Sequence, residues 1–338
     1  MPRRRTKPLE TLLDSISAEA LPYDPLRREL YTPEELLGPG RISRRRTVDD
    51  EIFDHYLRTG RQQPDLRESL ARRLHDFFID EALIRGIGRR SYDRRRIVGI
   101  MGGHSVSRRD PFYRKAALTA FLLRKLGFRI ATGGGPGIME AGNLGAHLAA
   151  TGDERALERA LETLAAGPDL PHGEGWRRDP AGVRQYQAYL GKAREVLATH
   201  PRRPHGRPTR IANLAAPTWF YGWEPTNLFA DAVAKYFSNS LREDGLLSLA
   251  VGGVVFGPGS LGTTQEIFLD AAQNHYGTYG WISPMALLGL QRYTMATSHA
   301  RLLGELSSQR PWGRLIIASD DPRDIVSFIK AHPARRPS

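Results

Sequence analysis

The stretch VVFGPGSLGTTQE, Val254 to Glu266, decides how this chain is read. An apolar run rich in β-branched residues, Leu249 to Phe256, stops abruptly at glycine. The glycines then open a helix whose first turn carries Thr263, Thr264 and Glu266. Strand, glycine turn and helix start in that order make a place to hold phosphate. The first N–H groups of the helix point outward, its dipole favours an anion, and no Cβ blocks close approach. A second such turn, TGGGPGIMEAG from Thr132 to Gly142, follows the apolar run Phe128 to Thr132. Two phosphate-type turns and one well-placed carboxylate suggest an enzyme acting on a nucleotide.

Working outward, the same alternation recurs. Ile97 to Met101 reads as a short buried strand ended by Gly102-Gly103-His104-Ser105. Asp110-Pro111 is a helix start, with Asp as N-cap and Pro at the first position. That helix puts Leu118, Phe121, Leu122 and Leu126 on one face and stops at Gly127. Ile138 to about Ala150 is helix again. Strand–helix–strand–helix with short links implies parallel strands and right-handed crossovers. Residues 151 to about 208 interrupt the pattern as an inserted helical segment, with helices over Arg155–Ala165 and Val183–Ala198. The core resumes with a strand over Arg210–Ala215, then a helix from Pro225-Thr226 that buries Phe229, Val233, Tyr236 and Phe237. After the helix from Thr263 to about Asn274 come strands at Met285–Leu290 and Leu315–Ala318, and a closing helix from Asp321-Pro322.

The expected fold is a doubly wound, mostly parallel Rossmann-like α/β sheet flanked by helices over residues 93–338, with the helical insertion at 151–208. Residues 1–92 read as an N-terminal helical extension. Within it, Asp65 to Ile84 is helical by the spacing of Leu66, Leu70, Leu74, Phe77 and Phe78. No chemistry is legible in the extension.

The 338 residues are 40% hydrophobic, enough for a full core, yet no run approaches the ~18 apolar residues of a membrane span. MPRRRTKPLE carries the charge of a signal peptide's start, but no apolar stretch follows, so no secretion signal is expected. The absence of cysteine excludes disulfides, thiolate metal sites and cysteine nucleophiles, and fits a cytoplasmic protein. The histidines show no HExxH or paired-ligand spacing, so no metal site is expected. The net charge of +12 comes largely from arginines, clustered at Arg3–Arg5, Arg44–Arg46 and Arg94–Arg96. Such clusters can bind nucleic acid. No nucleic-acid motif accompanies them and no aromatics interleave, so the preferred reading is a surface that attracts anionic metabolites.

Gly257, Gly259 and Gly262 formally satisfy GxGxxG, the dinucleotide fingerprint. That fingerprint belongs to the first strand of its unit and needs an acid ~20 residues on. Here the turn follows at least three other strands, and Trp281, Ile282, Ser283 and Pro284 stand at that distance. NAD(P) binding is the weaker reading. A pyridoxal-phosphate enzyme needs a Schiff-base lysine. Lys115, Lys125, Lys192, Lys235 and Lys330 all fall in stretches read as helical, away from the glycine turns, so amino-acid decarboxylation is rejected and no cofactor is expected.

PGSLGTTQE, Pro258 to Glu266, resembles the PGGxGTxxE motif of the LOG (Lonely guy) family, cytokinin-activating nucleoside 5′-monophosphate phosphoribohydrolases and bacterial relatives once labelled lysine-decarboxylase-like. TGGGPGIM, Thr132 to Met139, resembles that family's GGGxxGLM, and IMGGHS precedes a helix at the fitting distance. The resemblance covers about residues 96 to 330. Ser260 stands where the family has a second glycine, and Arg242-Glu243 where it has an Arg-Lys pair. The resemblance implies hydrolysis of the N-glycosidic bond of a nucleoside 5′-monophosphate or related phosphoribosyl ligand, giving a free base and ribose 5-phosphate. It implies Glu266 and Arg242 as the catalytic pair. Gly259, Ser260, Leu261, Gly262, Thr263 and Thr264 would anchor the phosphate, with Gly103, His104 and Ser105 beside it. Gly133, Gly134, Gly135, Gly137 and Met139 would form the opposite wall, and Asn239 would face the base. A homo-oligomer with sites near the subunit contact is implied too. The alternative on the same scaffold is a non-catalytic nucleotide sensor.

Overall fold

Seven strands form one all-parallel sheet in the order β4-β3-β2-β1-β5-β6-β7. They are β1 (Ile97–Met101), β2 (Arg129–Thr132), β3 (Asn213–Ala215), β4 (Ala232–Val233), β5 (Gly253–Phe256), β6 (Met285–Leu288) and β7 (Ile316–Ser319). The computed structural model describes residues 21–38, 47–88, 94–171, 173, 175–202, 211–222 and 224–337. The clusters at Arg3–Arg5 and Arg44–Arg46, and the strand start expected at Arg210, lie outside the described residues. Strands β1 to β6 are buried throughout, which is why they read as unbroken apolar runs rather than alternating ones. Helices pack on this sheet as in a doubly wound α/β fold. Among the described residues no helix is long and apolar enough to cross a membrane.

The N-terminal helices are α1 (Pro33–Leu37), α2 (Val48–Arg58) and α3 (Leu66–Ile87). Next come α4 (Pro111–Lys125) and α5 (Ile138–Leu148), then α6 (Glu154–Ala165) and α7 (Pro180–Thr199) within the expected insertion. The last four are α8 (Asn239–Leu249), α9 (Leu261–Tyr276), α10 (His299–Leu306) and α11 (Pro322–Ala331). The Asp-Pro signals work as read. Asp110 accepts from Phe112 N at 2.7 Å and Asp321 from Arg323 N at 2.8 Å, each ahead of a proline in the first turn.

The added segments are tied to the core by buried charge. Glu140 of α5 is 2% exposed and accepts from Arg108 Nε at 2.9 Å and Nη2 at 2.6 Å. Tyr113 and Tyr189 also donate to it, at 2.8 and 2.9 Å, and Tyr189 belongs to α7. Removing one partner of such a pair strands a buried charge and costs about 3–5 kcal/mol. The N-terminal segment closes the sheet edge: Tyr31 N donates to Val233 O at 2.9 Å, and Val233 N to Tyr31 O at 2.8 Å. An edge strand covered in this way offers no free template for pairing.

Three expectations are corrected. Residues 225–237 are not a helix but an extended segment containing β4, with Tyr236 bridged to Thr218. Phe229, Val233, Tyr236 and Phe237 are all buried, yet by a segment enclosed on both sides rather than by a helical stripe. The run Leu249–Phe256 is two things, the last residue of α8 and, after a turn, β5. The helix expected over Asp65–Ile84 forms as α3, and its buried face mixes Ala71, Ile79, Leu83 and Ile87 with polar side chains. Leu66 is 71% and Phe77 55% exposed, while Glu68, Arg72, His75 and Asp76 are buried against polar partners on the domain. Finally, Lys235 sits in the extended segment, 1% exposed, with its Nζ 2.9 Å from Asp49 Oδ2. Asp49 also accepts from Trp219 Nε1 at 2.8 Å.

Candidate functional site

The sheet winds away in opposite directions from β1 and β5, so the crevice above their carboxyl ends is the topological switch point. Three loops meet there: Gly102–Ser105 after β1, Gly133–Gly137 after β2 and Gly257–Ser260 after β5. They are stitched together through backbone. Gly103 N donates to Pro258 O at 2.8 Å, Ile138 N to Gly103 O at 3.1 Å, and Gly257 N to Met101 O at 2.8 Å. Gly103 therefore lends the site its bareness rather than a free amide. A Cβ there would lie 3.1 Å from Gly259 Cα.

On the β5 side the start of α9 is open. Ser260 occupies the N-cap position without a side-chain cap bond, and the first helical bond is Thr264 N to Ser260 O at 3.0 Å. The N–H groups of Leu261, Gly262 and Thr263 have no partner among the described residues. Such unsatisfied donors, at the positive end of a dipole, suit an anion. Nothing lies within 4 Å of the place a Cβ on Gly262 would take. Of the two hydroxyls expected to help, Thr263 is 6% exposed and packs under the turn, where a Cβ on Gly259 would fall 2.0 Å from its Oγ1. The Thr264 hydroxyl lies 3.2 Å from Ser260 O and 2.9 Å from His299 Nε2, so it is engaged with α10.

The β2 side is packed. Gly133 to Gly137 are buried, and Gly137 has φ +67°, a conformation L side chains rarely adopt. A Cβ on it would come 2.3 Å from Gly103 O. Met139 lies against Gly133 and Gly135.

Between the two sides stands Arg242, from the first turn of α8 and 7% exposed. A Cβ built on Gly133 would lie 3.2 Å from its Nη1. Its Nε donates to Asn239 Oδ1 at 3.0 Å and its Nη2 to Glu243 Oε1 at 3.1 Å. Gln265 of α9 donates to Glu243 Oε2 at 2.8 Å, and Asn239 Nδ2 donates to the Tyr221 hydroxyl at 2.9 Å. Asn239 thus links Tyr221 to Arg242 through its amide. Glu266, one turn into α9, is half-buried and forms no hydrogen bond or ion pair among the described residues. Burial pushes its carboxyl up to about 7; Arg242 opposes the rise, while Glu243 and Glu224 add to it. A carboxyl that titrates near neutrality is suited to proton transfer.

His104 is exposed, its Nδ1 3.5 Å from Glu224 Oε1, and Ser105 is exposed beside it. Sequence reading missed Tyr221, Glu224, Gln265, Arg292, Tyr293 and His299. Tyr293 donates to Gly257 O at 2.6 Å and Arg292 to Gly259 O, both from a π-helical turn that follows β6. The available signal was position: polar residues just beyond a parallel strand's carboxyl end face the crevice. Among the described residues no group of three or more His, Asp or Glu side chains is arranged to hold a metal ion.

No protein-family model matches this chain, and no curated protein matches it. The fold and site define its class: a Rossmann-like, doubly wound α/β protein with a glycine-walled crevice at the switch point.

Proposed function

We propose that the chain is a nucleoside 5′-monophosphate phosphoribohydrolase of the LOG type. The observation that carries this reading is the open start of α9, where the N–H groups of Leu261 to Thr263 have no partner among the described residues and Glu266 stands one turn in. The free N–H groups of Leu261 to Thr263 take the 5′-phosphate, and the ribose lies towards Glu266. Water adds to C1′ while the C1′–N bond breaks, its electron pair leaving with the base, which is protonated as it departs. Ionised Glu266 stabilises the oxocarbenium-like sugar and orients the water. Arg242 balances charge on the leaving base. The same reading makes the protein a cytoplasmic homo-oligomer.

One observation favours the alternative, a nucleotide sensor without turnover: Glu243 neutralises Arg242 at 3.1 Å. The two part on a direct assay. Pure protein is incubated with a panel of nucleoside 5′-monophosphates, with Glu266→Gln alongside, and free base is followed by chromatography. The hydrolase releases base, and Glu266→Gln loses about a thousandfold or more of kcat while still binding nucleotide. Because the ionised carboxylate is the working form, the wild-type rate falls as pH drops through about 7. Nucleotide bound with no base released from any monophosphate establishes the sensor.

A further inference from the structure

The first turn of α8 carries both Asn239 and Arg242, and it lacks the usual local supports. Ser238 at the N-cap makes no side-chain cap bond, and no acidic residue stands in the first turn. Support comes from 161 residues earlier. Asp76 of α3 accepts from Phe237 N at 3.0 Å with Oδ1 and from Ser238 N at 2.8 Å with Oδ2. These are the two residues that lead into α8.

Asp76 is itself held. It is 1% exposed, and its Oδ1 lies 3.1 Å from His75 Nδ1. His75, fully buried, has its Nε2 2.9 Å from the Tyr31 hydroxyl and sits among the rings of Tyr23, Tyr31, Trp219 and Phe237. One turn along α3, Asp80 accepts from the Tyr236 hydroxyl at 2.8 Å. A dry carboxylate accepting two backbone N–H bonds at a helix start is a strong, directional restraint. It fixes where α8 begins, and so where Arg242, one turn on, delivers its guanidinium.

We infer that Asp76 is a positioning residue for Arg242, through which the N-terminal segment takes part in the chemistry of the crevice. The inference rests on the hydrolase reading for its effect on rate. Misplacing a charged group by about 1 Å costs about a hundredfold in rate.

The test compares free-base release by wild type, Asp76→Asn, Tyr31→Phe, Arg242→Ala and the double variant Asp76→Asn/Arg242→Ala, with hydrogen exchange at Phe237, Ser238 and Arg242, whose amides are hydrogen-bonded. Asp76→Asn puts an amide N–H against a backbone N–H. It should lower kcat about 10- to 100-fold with KM within about threefold. The gentler Tyr31→Phe, which frees His75, should lower kcat a few-fold. In the Arg242→Ala background Asp76→Asn should cost nothing further, since the group it positions is gone. Exchange at Phe237, Ser238 and Arg242 should quicken at least tenfold in Asp76→Asn, with α11 unchanged. Rates within twofold of wild type in both Asp76→Asn and Tyr31→Phe, or losses that simply multiply in the double variant, overturn the inference. A wild type that releases no base sinks the hydrolase reading instead. The exchange data then decide Asp76 alone, unchanged protection counting against it.

Discussion

The two sides of the crevice are built from similar glycine-rich strings and put to opposite uses. On the β2 side every glycine from Gly133 to Gly137 is buried, and the turn is filled by its neighbours. On the β5 side the chain turns into α9 with free N–H groups, and Gly262 faces empty space. Gly257 and Gly259 are packed as tightly as the β2-side glycines, so the contrast rests on Gly262 and the start of α9. A motif match alone does not distinguish these uses. The distance from a hypothetical Cβ to its nearest neighbour does.

The largest effect expected from that contrast is on the packed side. Gly137→Ala forces a side chain into φ +67° and against Gly103 O, 2.3 Å away. It should remove more than about 3 kcal/mol of stability, read as a fall in urea midpoint at unchanged slope. An unshifted midpoint would break the comparison.

A second effect belongs to the open side, whose helix α9 carries a buried, underpartnered acid. Asp270 is 3% exposed, and its Oδ2 has no hydrogen-bond partner. It lines a cavity of about 10 Å³ with Gln273, Asn274, Tyr279 and Ser283. Burial pushes its carboxyl up to about 8 from an ordinary 3.8. The folded state therefore holds a proton that the unfolded chain gives up. The contribution of Asp270 to stability is full below about pH 4 and is lost as pH rises towards about 8. Asp270→Asn should remove this dependence, stabilising the protein more at pH 8 than at pH 5. Unfolding followed at pH 5 and pH 8 checks it; an equal gain at both would count against it.

The smallest effect sharpens the contrast most. Gly262→Ala adds a methyl in open space on a helix, so it should raise stability by about 0.5–1 kcal/mol. The same methyl stands where a phosphate would approach, and affinity for adenosine 5′-monophosphate measured by calorimetry should fall at least about tenfold, roughly 1.4 kcal/mol. Stability and affinity rising together would show that the open donors are not the anchor.

Much of this was legible where a local signal sets the structure. Asp110-Pro111 and Asp321-Pro322 start their helices, and apolar runs ending in glycine mark the strands of the crevice. Residues 225–237 were misread because Phe229, Val233, Tyr236 and Phe237 imitate a helical stripe. A segment buried on all sides has no periodicity to betray it. The polar part of the buried face of α3 was not legible from spacing. Its partners are the backbone N–H groups of Phe237 and Ser238 and the hydroxyls of Tyr23 and Tyr236, so polar side chains turned inward and Phe77 outward. At the candidate site, Glu266 and Arg242 could be named through the family resemblance, but their supports could not. Asp76, Tyr221 and Arg292 come from segments whose proximity only the folded chain reveals.

The span from Asp76 to Ser238, 162 residues, also has a meaning in time. At about 5–20 residues per second of synthesis, α3 leaves the ribosome roughly 8 to 32 seconds before the amides it will hold. A greasy surface left bare that long would invite association with other chains. On α3, Glu68, Arg72, His75 and Asp76 are well solvated by water until Phe237 and Ser238 arrive, whereas Ile79, Leu83 and Ile87 of the same helix stay bare until the core closes over them.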